Sequence, residues 1–170
     1  NDNYDITFVN GTYTITKKTL TENDLGKTKF EDGSFVYDGT KKQIEVTGLP
    51  EGFTVEYENN TKTNVGSKEA TAKVKGNENY TGTVTLKATI EVTKAKVELT
   101  ADDKTKVYGE EDEALTYKVT SGEVYGTDDL NVNLNREVGE NVGTYTITIT
   151  GTNDNYDITF VNGTYTITKK

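Results

Sequence analysis

The first 18 residues of the chain, NDNYDITFVNGTYTITKK, recur without a change as residues 153–170, at an offset of 152. An identical repeat of this length does not arise by chance and is typical of a protein built as a tandem array. We therefore expect the chain to hold one 152-residue period and the last strands of the preceding period. On this interpretation it is a part of a longer repetitive protein.

A weaker repetition lies inside the period. The run Gly76-Asn77-Glu78-Asn79-Tyr80 matches residues 151–156 with one insertion, and Asn64-Val65-Gly66 matches Asn141-Val142-Gly143. The period therefore divides into two related modules of roughly 75 residues each. We assign residues 1–18 to the closing strands of a preceding repeat, 19–26 to a linker, 27–96 to a first module and 97–170 to a second module.

Alternation of polar and apolar residues predicts the secondary structure. Residues 83–93, 144–150 and 164–168 alternate without a break, which is typical of strands with one buried face. Turn signals rich in Gly and Asn separate such runs, and no stretch has the period of about 3.6 residues that an amphipathic helix shows. Short strands at this spacing predict an all-β chain with two small Ig-like β-sandwich modules in tandem, elongated overall.

Two Asn-Gly pairs predict tight hairpins. Asn162-Gly163 separates the strand of Phe160 from the strand of Tyr165, which suits a type I′ turn. Asn10-Gly11 predicts the same hairpin in residues 1–18, away from its home sheet. A lone hairpin is marginal in water. We therefore expect residues 1–18 to pair with or pack on the first module, the exposed edge of a neighbouring molecule or a swapped partner.

The link that follows is expected to be partly rigid. Between Lys17 and Lys29 there is no proline, and Leu20 and Leu25 fall at apolar positions. We expect this link to dock at a module interface rather than to swing freely. Such docking favours a semi-rigid rod.

Composition excludes several kinds of chemistry. The sequence has no Cys and no His, which removes disulfides, thiolate metal sites, Ser-His-Asp triads and Cys-His dyads. Its 28 acidic and 19 basic residues give a net charge of -9, and Arg136 is the only arginine, so nucleic-acid binding is not expected. No apolar run approaches the roughly 18 residues of a membrane span. We predict no catalytic, cofactor-binding or metal-binding residue, and no enzyme activity.

Short motifs in a fixed order carry a family resemblance. The first module has them in Phe35-Val36-Tyr37-Asp38-Gly39-Thr40-Lys41, residues 46–52, Asn64-Val65-Gly66 and residues 79–83. The second module has them in Lys106-Val107-Tyr108-Gly109-Glu110, Ala114-Leu115-Thr116-Tyr117, residues 136–145 and Asn155-Tyr156. The first resembles the MBG (mostly β with glycine) domains of bacterial surface proteins, and the second resembles their sister type, with Asp112-Glu113 in place of the usual Asp-Pro. The resemblance implies a repeat of a large cell-surface or adhesin-like protein, often of Gram-positive bacteria, whose modules stack as a stalk, and it supplies no catalytic residues.

Some groups of residues offer a site, but each has a simpler structural role. The acidic loops Asp102-Asp103, Glu110-Glu111-Asp112-Glu113 and Asp128-Asp129 could supply calcium ligands at a module junction. None has the EF-hand spacing, however, and acidic loops are usually only solvated. The tyrosines of predicted loops could stack on sugars, although a tyrosine at a sandwich corner more often caps the core; they are Tyr4, Tyr80, Tyr108 and Tyr125. Acids on alternating strands fall on the polar face, which speaks against glycoside hydrolysis.

A covalent staple is a further possibility for such thin modules. A Lys-Asn isopeptide bond needs a lysine amine and an amide pressed together in an apolar core beside a buried acid. The lysines on strands that can be phased all fall on outward positions: Lys73, Lys75, Lys87 and Lys118. Gln43, the only glutamine and so the only partner for a Thr-Gln ester, also lies outward. Neither bond is expected.

The function expected from these features is structural. The chain would be a stalk or spacer segment of a bacterial cell-surface adhesin-like protein, extracellular and with a wall-anchored parent, that projects a distal binding region. Its expected partners are neighbouring repeats of the same chain. The alternative is an adhesive module that binds host glycan or glycoprotein directly through loops that carry Tyr and Asn.

Overall fold

The chain is built from strands, as a computed structural model that describes residues 2–170 shows. Its 15 strands are β1 Lys18–Thr19, β2 Lys29–Phe30, β3 Gly33–Val36, β4 Val46–Thr47, β5 Thr54–Glu58, β6 Gly66–Lys75, β7 Tyr80–Thr81, β8 Thr83–Thr93, β9 Ala95–Ala101, β10 Lys104–Val107, β11 Tyr117–Gly122, β12 Asn133–Arg136, β13 Gly143–Thr150, β14 Tyr156–Val161 and β15 Gly163–Thr168. One short 3₁₀ helix spans Glu22–Leu25. Among the described residues, no helix has the length and apolar character to cross a membrane. The predicted all-β class is confirmed.

The strands form sheets within two parts of the chain. Residues 18–93, the N-terminal half, contain the sheet β3-β8-β6-β5 and the strand pairs β1-β7 and β2-β4. Residues 95–168, the C-terminal half, contain the sheets β10-β15-β13-β12 and β11-β9-β14. Among the described strands, no pairing joins one half to the other. The finer prediction, of two Ig-like sandwiches in tandem, stays a prediction.

The two halves share a pattern of strand pairing. At the start of each half, β1 lies parallel to β7 and β9 lies parallel to β14, with Lys18 opposite Tyr80 and Ala95 opposite Tyr156. The last strand of each half also has a parallel partner, since β8 pairs with β3 and β15 pairs with β10. The central strands β6 and β13 pair antiparallel with β8 and β15. The strands β1, β3, β6, β7 and β8 of the N-terminal half therefore correspond to β9, β10, β13, β14 and β15 of the C-terminal half.

The core lies between the sheets of each half. In the C-terminal half, Leu99 of β9 packs with Ile147 of β13 and Tyr165 of β15, and all three are fully buried. In the N-terminal half the inward residues of β6 and β8, such as Ala70 and Ile90, are also fully buried. Successive side chains of a strand point to opposite faces, so the alternation in the sequence produces these cores.

The predicted hairpin at Asn162-Gly163 is wrong. The flanking strands β14 and β15 belong to different sheets, since β14 pairs with β9 while β15 pairs with β13 and β10. Neither Asn162 nor Gly163 has the positive φ that a type I′ turn requires. The pair instead carries the chain across the core, and a Cβ at Gly163 would lie 2.8 Å from the carbonyl oxygen of Ala101. An Asn-Gly signal specifies a tight turn but not the sheet that the next strand joins.

The hairpin predicted at Asn10-Gly11 is also wrong. Residues 4–17 contain no strand, and only β1 at the end of this segment pairs, with β7. Tyr4 is 73% exposed, whereas its identical counterpart Tyr156 is 2% exposed. The two segments have the same sequence, so their different burial comes from their partners. Residues 156–168 pair with β9, β10 and β13. These strands are therefore not available to residues 4–16. Pairing of residues 1–18 with another molecule stays a prediction.

Residues 19–26, interpreted above as a linker, lie against the N-terminal half. Leu20 and Leu25 are 5% and 3% exposed and pack with Val74 and Val84. The backbone N–H of Leu20 donates to the carbonyl oxygen of Thr81 at 2.8 Å. Hydrophobic burial therefore holds this segment on the core of that half.

Candidate functional site at the junction between the halves

A single residue separates the two halves. β8 ends at Thr93 and β9 begins at Ala95, with Lys94 between them. The backbone N–H of Tyr37 donates to the carbonyl oxygen of Thr93 at 2.9 Å, and that of Ala95 donates to the carbonyl oxygen of Asn155 at 3.0 Å. The chain is therefore hydrogen-bonded on both sides of Lys94.

Three tyrosines and one carboxylate meet at this junction. Tyr37 comes from the N-terminal half, while Tyr125, Asp128 and Tyr156 come from the C-terminal half. The hydroxyls of Tyr37 and Tyr156 donate to Oδ2 of Asp128 at 2.8 and 2.7 Å. The Tyr37 ring lies edge-on to those of Tyr156 and Tyr125, with centroids 5.5 and 6.1 Å away. Tyr37 and Tyr156 are only 4% and 2% exposed, so the contact is buried as well as hydrogen-bonded.

The environment keeps both hydroxyls protonated. Burial, and then the hydrogen bond to Asp128, raises the pKa of Tyr156 to about 12. The same two causes raise the pKa of Tyr37. A neutral hydroxyl is a donor and a tyrosinate is not. The bonds to Asp128 are thus available through the physiological range of pH.

A pair of asparagines adds a polar contact beside the tyrosines. Oδ1 of Asn155 accepts from the backbone N–H of Val65 at 3.0 Å, and its Nδ2 donates to Oδ1 of Asn64 at 3.2 Å. Val92 of the N-terminal half belongs to the same buried cluster as Ala95 and Tyr156. The hydrophobic core of the C-terminal half therefore continues across the junction.

The C-terminal half also contains a buried cation. Lys106 is the one buried charged residue within the described part of the chain, and its Nζ lies 2.7 Å from Asp112 and 2.5 Å from Glu140. Arg136 contacts the same two acids at 2.6 Å each, and its guanidinium lies 5.1 Å from the centre of the Tyr165 ring. These four charges connect the loops after β10 and β12 to each other and to the strands β10 and β12.

This cluster suits an ion pair rather than an amide bond. Hydrogen bonds from Arg136 and then Lys106 lower the pKa of Asp112 to about 2. Hydrogen bonds to Asp112 and Glu140 raise the pKa of Lys106. Condensation of an amine with a carboxyl group requires a neutral amine and a protonated acid, and both shifts favour the charged forms. The sequence marked Asp112 as an acid of a loop and Arg136 as the single arginine, but it did not pair them with Lys106 and Glu140.

The acidic loops proposed as calcium ligands lie apart and have other contacts. Asp102 accepts from the hydroxyl of Thr116 at 2.7 Å, Asp103 from the backbone N–H of Thr164 at 2.7 Å, and Asp129 from the backbone N–H of Asn131 at 2.7 Å. Within residues 2–170, no three or more carboxylates are grouped so that they could hold a metal ion. These three acids therefore act as local caps of turns and strands, whereas Asp112 and Asp128 contact the cations and tyrosines described above.

The remaining candidates divide between the surface and the junction. Tyr125 lies in the junction, and Tyr80 packs edge-on against Phe53 at 5.3 Å. Tyr108 is 50% exposed. The lysines predicted to point outward do so, and each forms an ion pair on the outer face: Lys73 with Glu58, Lys75 with Glu56, Lys87 with Glu69 and Lys118 with Asp102. Gln43 is exposed as well.

Comparison with known proteins gives a match, which lies within the C-terminal half. The family described as the MBG domain (YGX type) matches residues 97–166. The match covers Tyr108-Gly109-Glu110 and includes Tyr125, Asp128 and Tyr156 of the junction. No curated protein matches the chain. The resemblance of residues 27–96 to the same group of domains stays a prediction.

Proposed function

We propose that the chain is a stalk segment of a bacterial cell-surface adhesin-like protein, because residues 97–166 match the MBG domain (YGX type), which suggests a repeat domain of surface-type proteins. Its role is to project a distal binding region from an anchored parent outside the cell. The two halves act as tandem modules and carry out no catalysis.

The junction between the halves is the observation that carries this proposal. A spacer has to transmit position from one module to the next, which requires short connections and buried contacts. Here the connection is the single residue Lys94, and Tyr37 is buried against Tyr156 with both hydroxyls on Asp128. A chain of beads on flexible linkers needs none of these contacts.

The C-terminal half adds support through its loops. Their acids accept from backbone groups or hydroxyls, or pair with cations such as Lys106 and Arg136, and the sequence has no His or Cys to act as a general base or nucleophile. Outer strand faces carry paired Lys and Glu, such as Lys87 with Glu69. Mixed surface charge of this kind favours solubility of a long array.

Small-angle scattering of the whole chain tests the proposal. We expect an elongated monomer whose maximum dimension is kept across a range of salt concentrations, because the junction is mainly buried and hydrogen-bonded rather than ionic. Tyr37→Ala should broaden the distribution of interatomic distances, whereas Tyr108→Ala, at an exposed tyrosine, serves as the matched control. A compact particle argues against a stalk, and a wild type as variable as Tyr37→Ala argues against the junction as the contact that holds the two halves in place.

The alternative is an adhesive module, favoured by the half-exposed ring of Tyr108. In this case the isolated chain binds host glycan or glycoprotein in a saturable manner, and Tyr108→Ala removes the binding. Glycan arrays and immobilised mucin distinguish the two functions. Strong binding by the isolated chain contradicts a role as spacer only.

A further inference from the structure

The junction described above uses positions that recur at the far end of the C-terminal half. Tyr37 follows β3 and its backbone N–H donates to Thr93, the last residue of β8. Tyr108 follows β10 and its backbone N–H donates to Thr168, the last residue of β15, at the same distance of 2.9 Å. Tyr108 is therefore the structural counterpart of Tyr37. It differs in exposure, at 50% against 4%.

A second contact of the junction recurs at the same end. Val65 precedes β6, and Gly66 lies opposite Val92 of β8. Val142 precedes β13, and Gly143 lies opposite Ile167 of β15. Val65 packs against the junction, whereas Val142 is 48% exposed. Tyr108 and Val142 thus correspond to Tyr37 and Val65 of the junction, but both are exposed instead of packed against another half.

The receiving side of the junction recurs at the start of the N-terminal half. Asn155 accepts from the N–H of Ala95 and its side chain contacts Asn64, while Asn79 accepts from the N–H of Lys18 at 2.9 Å. The preceding turn is also repeated, because the N–H of Tyr156 donates to Asn153 and that of Tyr80 donates to Asn77, both at 3.1 Å. Asn79 and Tyr80 are therefore counterparts of Asn155 and Tyr156.

The backbone completes the correspondence. β8 and β9 are joined through Lys94 alone, and residues 168–170 have the sequence Thr-Lys-Lys of residues 16–18. In a continued repeat, β15 is followed by one residue, Lys169, and then by the position of Lys18, which starts β1. The connection between halves is then one residue long both within a period and between periods.

We propose that the surface formed by Tyr108 and Val142 is a docking surface for the start of another N-terminal half, where it packs on Asn79 and Tyr80. The proposal rests on the proposed function, since it requires a following period. It identifies the partner as a second copy of residues 18–93, joined end to start.

The surface around Asn79 and Tyr80 differs in chemistry from the one that Tyr37 contacts in the observed junction. Asp128 donates its backbone N–H to the carbonyl of Tyr125 at 3.1 Å, and Phe53 makes the same bond to Pro50 at 3.1 Å. Phe53 therefore ends a turn of the same kind, and its ring lies edge-on to that of Tyr80 at 5.3 Å. The ring of Tyr108 would pack on Phe53 and Tyr80 instead of donating its hydroxyl to an acid, so this joint depends on apolar contact.

Paired spin labels in a chain of two periods test the docking. Residues 19–170 are repeated once after Lys170, and cysteines are introduced in pairs into a sequence that has none of its own. Exposed Ser67 and Asp157 report on the observed junction. Their counterparts, Thr144 and Thr81 of the following period, report on the proposed one.

We expect the pair at Thr144 and Thr81 to give a narrow distance peak with the same mean as the pair at Ser67 and Asp157. Tyr108→Ala in the first period should abolish that narrow peak. The same substitution in the second period is the matched control and should leave the peak intact. A broad distribution in the wild type, or a peak indifferent to Tyr108→Ala in the first period, overturns the proposal.

The outcomes separate this proposal from the proposed function. An elongated chain with a broad distribution at the second joint is a flexible stalk, which contradicts the docking but not the spacer role. Saturable glycan binding by the two-period chain contradicts the spacer role, and the distance peak still decides the docking.

Discussion

Removing the ring of Tyr37 should uncouple the two halves. The side chain is 4% exposed, its hydroxyl donates to Asp128 at 2.8 Å, and its ring contacts two other tyrosines. Truncation of a buried aromatic residue to alanine costs about 3–5 kcal/mol. A hydrogen bond to a charged group contributes about 1.5–3 kcal/mol, and we expect the lower end for Tyr37→Phe because Asp128 keeps the hydroxyl of Tyr156. The two variants therefore separate the ring from the hydroxyl.

The assay is urea unfolding of the whole chain, followed by tyrosine fluorescence and circular dichroism. We expect one cooperative transition for the wild type and a lower slope or two transitions for Tyr37→Ala, since uncoupled halves expose their surface in separate steps. Tyr108→Ala is the matched control. It removes the counterpart ring at half exposure, where a surface substitution typically costs about 0.5 kcal/mol or less.

The reasoning fails if Tyr37→Ala costs no more than Tyr108→Ala, or if it shifts the midpoint and leaves a single transition of unchanged slope. The first result would show that burial at the junction contributes no stability. The second would show that the ring stabilises its own half without linking it to the other. Tyr37→Phe then tells whether the hydroxyl contributes independently.

Three further predictions concern the rest of the chain. The pKa of Asp112 is about 2 in the folded chain and about 4 in an unfolded one. Its contribution to stability is therefore present above pH 4 and is lost as the pH falls towards 2. Asp112→Asn should flatten the dependence of the unfolding free energy on pH in this window, and an unchanged profile would argue against the ion cluster. Deletion of residues 1–16 should leave the melting temperature unchanged, since residues 2–16 form no strand. Deletion of the same sequence at 153–168 removes β14 and β15 and should prevent folding of the C-terminal half. A lower melting temperature for the first variant contradicts this view. Intact mass should equal the calculated mass of the chain, because Lys106 and Asp112 are held as ions, and a deficit of one water would show an amide bond between them.

The strands could be predicted from the sequence because their signal is local. Residues 83–93 and 144–150 alternate without a break, and they form β8 and most of β13. The order of strands in the sheets is not a local property. Asn162-Gly163 looks like a hairpin turn, but burial of Tyr165 and Ile167 against the opposite sheet sends the next strand elsewhere.

The junction shows the same limit for the candidate site. The sequence singled out Asp128 as an acid in a loop and Tyr125 as a tyrosine in a loop, and it offered calcium and sugars as ligands. It could not place them beside Tyr37, which lies 91 residues from Asp128 in the chain. The burial of Lys106 could not be predicted either. On a short strand a lysine can point to either face, and only the fold brings Asp112 and Glu140 to its amine.

The long pairing of β8 bears on how such a chain responds to a pulling force. β8 is hydrogen-bonded in register with β6 from Thr83 to Val92, and its end continues through Lys94 into the next strand. Inter-strand bonds of an antiparallel pair are perpendicular to the strands, so tension applied along β8 loads these bonds together in shear instead of opening them one at a time. We therefore expect a module connected in this way to resist extension through the strands paired with β8, with a rupture force that depends on these ladders more than on the total stability of the fold.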